Sequence, residues 1–118
     1  MHLSLKNMPV NWNERTILLL GPEKVKKLEQ SHVLIAGLGG VGAWVAEMLC
    51  RAGVGKLTLI DADVVNPSNL NRQLLALHSQ IGKPKTEVIK QRLTDINPDV
   101  EITCQQIFLK DEIIDQLL

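Results

Sequence analysis

The segment Ile35–Glu47, IAGLGGVGAWVAE, places four glycines between a run of aliphatic residues and a helix-forming stretch. Gly37, Gly39 and Gly42 match the pattern G-x-G-x-x-G where it follows a strand and opens a helix. Such glycines let the backbone turn sharply and approach a phosphate, whose charge a helix N-terminus attracts. Gly40 is an additional glycine and indicates that a large group comes close. The segment therefore predicts a nucleotide-binding turn.

Predicted strands and helices alternate around this turn. Short apolar runs predict strands over 32–36, 56–60 and 100–104, and helical spacing predicts helices over 41–52 and 86–96. This order is typical of α/β proteins in which right-handed crossovers connect parallel strands. We expect a Rossmann-like doubly wound parallel sheet with helices on both faces.

The chain of 118 residues, 45% of them hydrophobic, is long enough for one hydrophobic core. Residues 1–14 are polar and irregular and are predicted to form an N-terminal arm, followed by one domain over 15–118. An amphipathic helix begins at Asp111, and the chain ends within its second turn. The third strand would also remain an uncovered edge. We therefore expect the sequence to be the N-terminal part of a longer protein.

The composition narrows the classes of partner. Lys plus Arg equals Asp plus Glu at 13 each, so net charge does not attract nucleic acid or an anionic membrane. No signal peptide or run of about 18 apolar residues occurs, which predicts a cytoplasmic protein without a membrane span. Cys50 and Cys104 are too far apart in sequence for a metal motif and are predicted to be buried thiols.

Asp61 follows the second predicted strand, nineteen residues beyond Gly42. An acidic residue at this position accepts hydrogen bonds from ribose hydroxyls in dinucleotide-binding folds. A nicotinamide-dependent enzyme would show the same turn and the same acid. A further interpretation is that the glycines only permit close packing of helix and strand, and that Asp61 is an ordinary acidic residue of the loop.

The loop over 61–87 favours a triphosphate. It is long for a connection in an α/β unit, and it carries Arg72, Lys83 and Lys85. The glycine turn already binds the diphosphate of a dinucleotide, whereas the concentrated charge of a triphosphate needs further cations. Arg72 can bind phosphate oxygens with two donors, and Lys85 can neutralise charge on departing pyrophosphate. The alternative is that these cations form a solvated surface.

Five stretches in this order, GLGGVG, LTLIDADVV, NLNRQ, IGKPKTEV and INPDVEI, resemble the adenylating enzymes related to ubiquitin-activating enzyme. These include the activators of sulfur-carrier proteins in molybdopterin and thiamine biosynthesis. The resemblance extends from about Arg15 to Ile102. The stretch around Trp44 and the loop are most similar to the branch that dehydrates threonylcarbamoyladenosine in tRNA.

The resemblance implies that a substrate carboxylate attacks the α-phosphorus of ATP, giving an acyl-adenylate and pyrophosphate. Arg72 and Lys85 would contact the phosphates and Asp61 the ribose. The rest of the nucleotide site would be formed by Gly37, Gly39, Gly40, Gly42, Asp63, Asn69, Asn71 and Gln73.

The resemblance also implies a homodimer in which Arg15 reaches the ATP of the partner. The Mg²⁺-binding aspartate would lie beyond Leu118, so we predict no metal ligand within this chain. The partner would be a ubiquitin-like sulfur-carrier protein or a modified tRNA. Two other functions remain open: an NAD-dependent oxidoreductase, which gives Arg72 and Lys85 no task, and a non-catalytic subunit of an adenylating heterodimer.

Overall fold

A computed structural model of the protein describes residues 11–110 and 115–116. Most of the predicted arm, residues 1–10, lies outside the described residues, and so does the predicted C-terminal helix apart from Asp115 and Gln116, which are helical. Residues 12–13 form a turn, and the first helix begins with Glu14. Within the described ranges, no helix combines the length and the apolar character needed to cross a membrane.

The helices and strands follow the order that the sequence predicts. The helices are α1 (Glu14–Leu20), α2 (Pro22–Glu29), α3 (Gly42–Ala52) and α4 (Lys85–Ile96), and the strands are β1 (His32–Ala36), β2 (Lys56–Ile60) and β3 (Glu101–Gln105). The predicted bounds of β1 and β2 agree with the structure, whereas β3 begins one residue later than predicted. β1 ends before Gly37 and β2 lies between Gly55 and Asp61, whereas the apolar Val100 directly before β3 looks like part of the strand.

The three strands form a parallel sheet in the order β1-β2-β3. Both crossovers run in the same direction, so right-handed connections put α3 and α4 on one face, where they contact each other. This arrangement is that of one half of a doubly wound fold. It confirms the predicted Rossmann-like α/β class.

The core lies between β2 and the helices α3 and α4. Leu57 and Leu59 of β2 are fully buried there. The buried apolar residues of α3 are small, namely Ala43, Ala46 and Cys50, and these let the helix lie close to the sheet. Of the larger apolar side chains of α3, Leu49 packs against the edge of this core, whereas Trp44, Val45 and Met48 are exposed.

Both cysteines are free thiols in an apolar setting. Cys50 is buried, and its Sγ donates to the carbonyl oxygen of Leu93 at 3.4 Å. Burial raises the pKa of Cys50 to about 11 and also raises the pKa of the half-buried Cys104. Both thiols are therefore protonated at neutral pH and are poor nucleophiles. The prediction of buried thiols is confirmed for Cys50, whereas Cys104 is only partly buried.

A buried carboxylate joins α3 to α4. Glu47 is 4% exposed and accepts hydrogen bonds from Arg92 of α4 and, at 3.4 Å, from Arg51 one turn further along α3. The hydrogen bond from Arg92, which exceeds the opposing effect of burial, lowers the pKa of Glu47. This interhelical pair joins residues 45 positions apart and has no signature in the sequence.

Replacing Arg92 with methionine should destabilise the fold more than replacing Arg51 with methionine. Arg92→Met leaves Glu47 buried without its main partner, at a cost of about 1–3 kcal/mol, since both arginines are partly in water and the penalty is below that of a fully buried pair. The measurement is urea unfolding at pH 7.

The pH dependence of the same variants gives an independent check. Because folding lowers the pKa of Glu47, its contribution is fully present above the unfolded pKa and is lost as the pH falls through the lower folded value. We therefore expect Arg92→Met and wild type to converge in stability at acidic pH. Equal losses in both variants at pH 7 would contradict the assigned role of Arg92.

Candidate nucleotide-binding site

The glycine turn depends on two of its glycines for its shape. Gly37 has φ +89°, a region that side chains with a Cβ rarely adopt. A Cβ on Gly42 would overlap the carbonyl oxygen of Gly37, so only glycine lets α3 begin there. Gly40 differs, because a Cβ on it would have no protein atom within 4 Å. The backbone conformation therefore requires glycine at 37 and the nearby Gly37 carbonyl requires it at 42, whereas Gly40 borders open space.

Helix α3 directs its N-terminus towards this open space. Its N-cap residue, Val41, makes no side-chain cap hydrogen bond, and its first turn contains no acidic residue. The first backbone N–H groups of a helix have no partner within the helix, and the helix dipole adds positive potential there. The start of α3 is therefore suited to an anion.

Asp61, which follows β2, joins the turn to the loop. One of its carboxylate oxygens accepts from the backbone N–H of Leu38 at 2.7 Å, and the other accepts from that of Asp63 at 2.8 Å. Sequence reasoning assigned Asp61 only to the ribose. The structure gives it a second role, because it holds the glycine turn and the loop together.

The two ends of the loop after Asp61 pair with each other. Val64 and Pro84 form an antiparallel bridge, and the N–H of Lys85 donates to the carbonyl oxygen of Asp63 at 3.0 Å. Short 3₁₀ helices at Pro67–Asn69 and His78–Gln80 shape the segment between them. This pairing fixes Lys85 beside Asp63, near the carboxyl end of β2.

Lys85 is buried without a counter-charge. Its residue is 5% exposed, and no carboxylate of the described residues lies within ion-pair distance of it. Lys83, two positions earlier, is exposed. Buried lysines are rare unless they are paired. Lys85 is therefore placed to receive an anion from outside the protein.

Arg72 is exposed and is oriented by its own loop. Its Nη1 donates to the carbonyl oxygen of Ser68 at 3.1 Å and to Oδ1 of Asn71 at 3.0 Å. Among the described residues no carboxylate forms an ion pair with it. Asn71 thus positions the guanidinium group, whose remaining donors are available to phosphate oxygens.

Two buried amides complete the loop. Asn69 accepts from the N–H of Asn66 through Oδ1 at 2.8 Å, so this oxygen stabilises the loop. Gln73 is 8% exposed, and its Oε1 has no hydrogen-bond partner. Its Nε2 lies 3.6 Å from where a Cβ on Gly39 would be, so the amide borders the glycine turn. This buried acceptor has no partner within the protein.

Three apolar residues of this region were not predicted from the sequence. Ile107, Phe108 and Leu109 follow β3 and line a hollow of about 180 Å³ together with Gly37 and Asp61. The short apolar run directly after the third strand is the feature of the sequence that could have indicated these residues. The hollow offers an apolar surface beside the carboxylate assigned to the ribose, as a nucleotide base requires.

Arg15 is the one predicted site residue that lies apart. Asn13, two residues earlier, lines a cavity with Gly55 and Glu101, which mark the amino ends of the strands. The glycine turn follows the carboxyl end of β1, and a strand of five residues spans about 16 Å. Arg15 is therefore not part of the site formed by its own chain.

The described residues contain no group of three or more His, Cys, Asp or Glu side chains that could hold a metal ion. The protein is thus of the α/β class, and its candidate site for a phosphorylated nucleotide combines the glycine turn, the N-terminus of α3, the acid after β2, and Lys85 and Arg72, which form no ion pair among the described residues.

Comparison with known proteins assigns the family. The family model described as "ThiF family" matches residues 13–118, and the chain belongs to this family. It is 43% identical over 102 residues to a tRNA threonylcarbamoyladenosine dehydratase of Bacillus subtilis, a match that covers 86% of this chain and 40% of the relative. It is 49% identical over 87 residues to the sulfur carrier protein ThiS adenylyltransferase of Escherichia coli, covering 74% and 35%.

The fold agrees with a solved member. The crystal structure of E. coli tRNA N6-threonylcarbamoyladenosine dehydratase, TcdA, in complex with ATP matches with a TM-score of 0.85 and 35% identity. The match covers 99% of this chain and 47% of that chain. This chain thus spans less than half the length of these relatives.

The glycine turn predicts different effects of two alanine substitutions. Gly42→Ala should prevent the turn from forming, because the new methyl group overlaps the Gly37 carbonyl, and should lower stability by about 2 kcal/mol or more. Gly40→Ala should fold normally and weaken only nucleotide binding. Thermal unfolding and calorimetric titration with ATP separate the two effects, and equal stability losses would contradict the assignment.

Proposed function

We propose that the protein uses ATP to adenylate a carboxylate substrate and releases pyrophosphate. The observation that carries this proposal is the buried Lys85, which no described carboxylate neutralises, in a loop fixed to the end of β2 beside Asp61. A dinucleotide would not need this charge in addition to the glycine turn. The proposal is also supported by relatives that are named adenylyltransferases and by the solved complex of TcdA with ATP.

Each part of the site has a role in this reaction. The backbone N–H groups at Gly39 and Gly40 and the start of α3 bind phosphate oxygens. Asp61 accepts from the ribose, and its existing hydrogen bonds to Leu38 and Asp63 hold it in place. The base occupies the hollow lined by Ile107, Phe108 and Leu109.

Catalysis rests on positioning and electrostatics. When the carboxylate attacks the α-phosphorus, the bond from this phosphorus to the bridging oxygen breaks and negative charge moves onto pyrophosphate. Lys85 and Arg72 stabilise that charge, and Gln73 borders the turn. Mg²⁺ would neutralise phosphate charge in the complete protein, and by resemblance its ligand follows the next strand.

For the substrate, we propose modified tRNA, with the threonylcarbamoyl group as the adenylated carboxylate. Relatives named tRNA threonylcarbamoyladenosine dehydratase match at 37–45% identity over 80–91% of this chain. Activation of a ubiquitin-like sulfur carrier is the second candidate, because the ThiS adenylyltransferase matches at 49% identity over 74%. The exposed residues Lys24, Lys26 and Lys27 of α2 are the basic surface that this part offers to tRNA.

The test is adenylation by the complete natural protein. It is incubated with α-labelled ATP and Mg²⁺, together with threonylcarbamoylated tRNA, with a sulfur carrier, or with neither. We expect labelled AMP to be released with the tRNA and cyclic product to form. An adduct with the carrier alone would favour the second candidate. Binding of NAD in place of ATP would show an oxidoreductase, and binding of ATP without turnover would fit a non-catalytic subunit.

Lys85→Met should weaken ATP binding by roughly 10–100-fold, the loss of a charged hydrogen bond of about 1.5–3 kcal/mol. The free protein should be about as stable as wild type, because methionine retains the buried apolar stem of Lys85 and no described carboxylate loses a partner. Lys83→Met is the matched control, since Lys83 is exposed, and should change binding by less than about threefold. Equal effects in the two variants would place the anion site elsewhere.

We further propose that the protein is a cytoplasmic homodimer. Its free thiols are compatible with a reducing compartment. Val41, Trp44, Val45 and Met48 form an exposed apolar face of α3, with Trp44 45% and Met48 55% exposed. This face lies on the helix that begins at the glycine turn, so a second copy bound there is next to the nucleotide. Since Arg15 lies far from the site of its own chain, only such a copy could supply it.

Replacing Trp44 and Met48 together with glutamate should convert a dimer into a monomer, because two charges would be buried in the interface. Sedimentation velocity of the complete protein measures this. Leu77→Glu, at a loop leucine that is 53% exposed, is the control and should leave the dimer intact. A dimer that survives the double substitution would move the interface away from α3.

A further inference from the structure

Two parts of the candidate site lie at the starts of two neighbouring helices. The glycine turn leads into Gly42, the first residue of α3, and Lys85 is the first residue of α4. The two helices lie on the same face of the sheet, begin near the carboxyl ends of the strands and contact each other. The distance between the glycine turn and Lys85 therefore depends on how α3 is placed relative to α4.

One pair of opposite charges joins these helices. Glu47 of α3 accepts a hydrogen bond from Arg92 of α4, and among the described residues this is the one ion pair between α3 and α4. Next to it, the Sγ of Cys50 donates to the carbonyl oxygen of Leu93 at 3.4 Å. At the rise of an α-helix, the pair lies roughly 8 Å along α3 from its start and roughly 10 Å along α4 from Lys85. It is thus within about two turns of both parts of the site.

The chemistry of the pair favours a role in geometry. Glu47 is 4% exposed, whereas the other buried residues of α3 are small and apolar. Taking a carboxylate out of water is unfavourable, so a buried ion pair often contributes no more to stability than apolar side chains of the same volume. A charged hydrogen bond has a preferred distance and direction, whereas apolar contacts allow helices to slide. The pair therefore fixes one placement of α3 against α4.

We propose that Glu47 and Arg92 are positioning residues that set the distance between the glycine turn and Lys85. The inference rests on the proposed function, because it needs a ligand whose phosphates contact both parts of the site at once. Neither Glu47 nor Arg92 touches this ligand, and each acts through the helix that carries it. Displacements of about 1 Å at such sites weaken the interactions with the reacting groups strongly.

The first test separates positioning from stability in the complete natural protein. Arg92→Met should weaken ATP binding about fivefold, measured by calorimetry at a temperature where thermal unfolding shows every variant to be folded. Glu47→Met combined with Arg92→Met should unfold at a higher temperature than Arg92→Met alone, because no buried carboxylate is left without a partner. ATP binding to this double variant should nevertheless stay about fivefold weaker than binding to wild type. Wild-type affinity in the double variant would overturn the proposal.

Two further variants examine the link between the helices. Arg51→Met removes the other donor to Glu47, but Arg51 lies on α3 itself, so this variant is the matched control and should bind ATP like wild type. Arg92→Lys keeps a cation opposite Glu47 and should recover most of the affinity that Arg92→Met loses. Equal losses in Arg51→Met and Arg92→Met would contradict a role that depends on α4.

A double-mutant cycle shows whether the pair acts through Lys85. With Lys85→Met already present, Arg92→Met should weaken ATP binding less than about twofold, since no ammonium group is left to position. If Arg92→Met instead causes the same loss in both backgrounds, the pair only stabilises the fold and the proposal is wrong.

Release of AMP is measured in the same samples with threonylcarbamoylated tRNA present. Wild type that binds ATP without releasing AMP contradicts the adenylation proposal, while the binding cycle still decides the role of the pair. Release of AMP together with an additive cycle contradicts the positioning role alone. Wild type that does not bind ATP at millimolar concentration contradicts both proposals.

Discussion

The close approach of α3 to the end of β1 is the constraint on which the rest of the site depends. At Gly42 the helix lies so near the carbonyl of Gly37 that no Cβ fits between them. The approach fixes the direction of the helix, so that its N-terminus faces the open space of the turn. Ala43 and Ala46 are also small, and they allow the same close packing of α3 further along the sheet.

The sequence predicted the elements whose bounds coincide with a change of residue type. β1 and β2 are aliphatic runs that begin after polar or glycine residues and end at Gly37 and Asp61, so their limits are visible in one dimension. The face on which a helix is buried was less visible. The largest apolar side chains of α3, such as Trp44 and Met48, are exposed, and periodicity alone does not distinguish a core from an interface.

The residue types predicted the chemistry of the candidate site but not the hydrogen bonds within it. The glycines, Arg72 and Lys85 stand in a recognisable pattern, but hydrogen bonds made by single atoms leave no trace in it. The hydrogen bond between Asp61 and Leu38 and the one that orients Arg72 through Asn71 are visible only in the folded structure. The ion pair of Glu47 and Arg92 was not predictable either, because it depends on how α3 and α4 pack against each other.

The unpaired charge of Lys85 connects the stability of the domain to its proposed ligand. The side chain of Lys85 is largely buried and no described carboxylate pairs with it, and Gln73 adds an acceptor without a partner nearby. A bound anion that also carries hydrogen-bond donors would interact with both groups. A ligand that binds the folded state alone stabilises it in proportion to its concentration over its dissociation constant. Lys85 and Gln73 are therefore residues through which bound ATP would stabilise the folded domain.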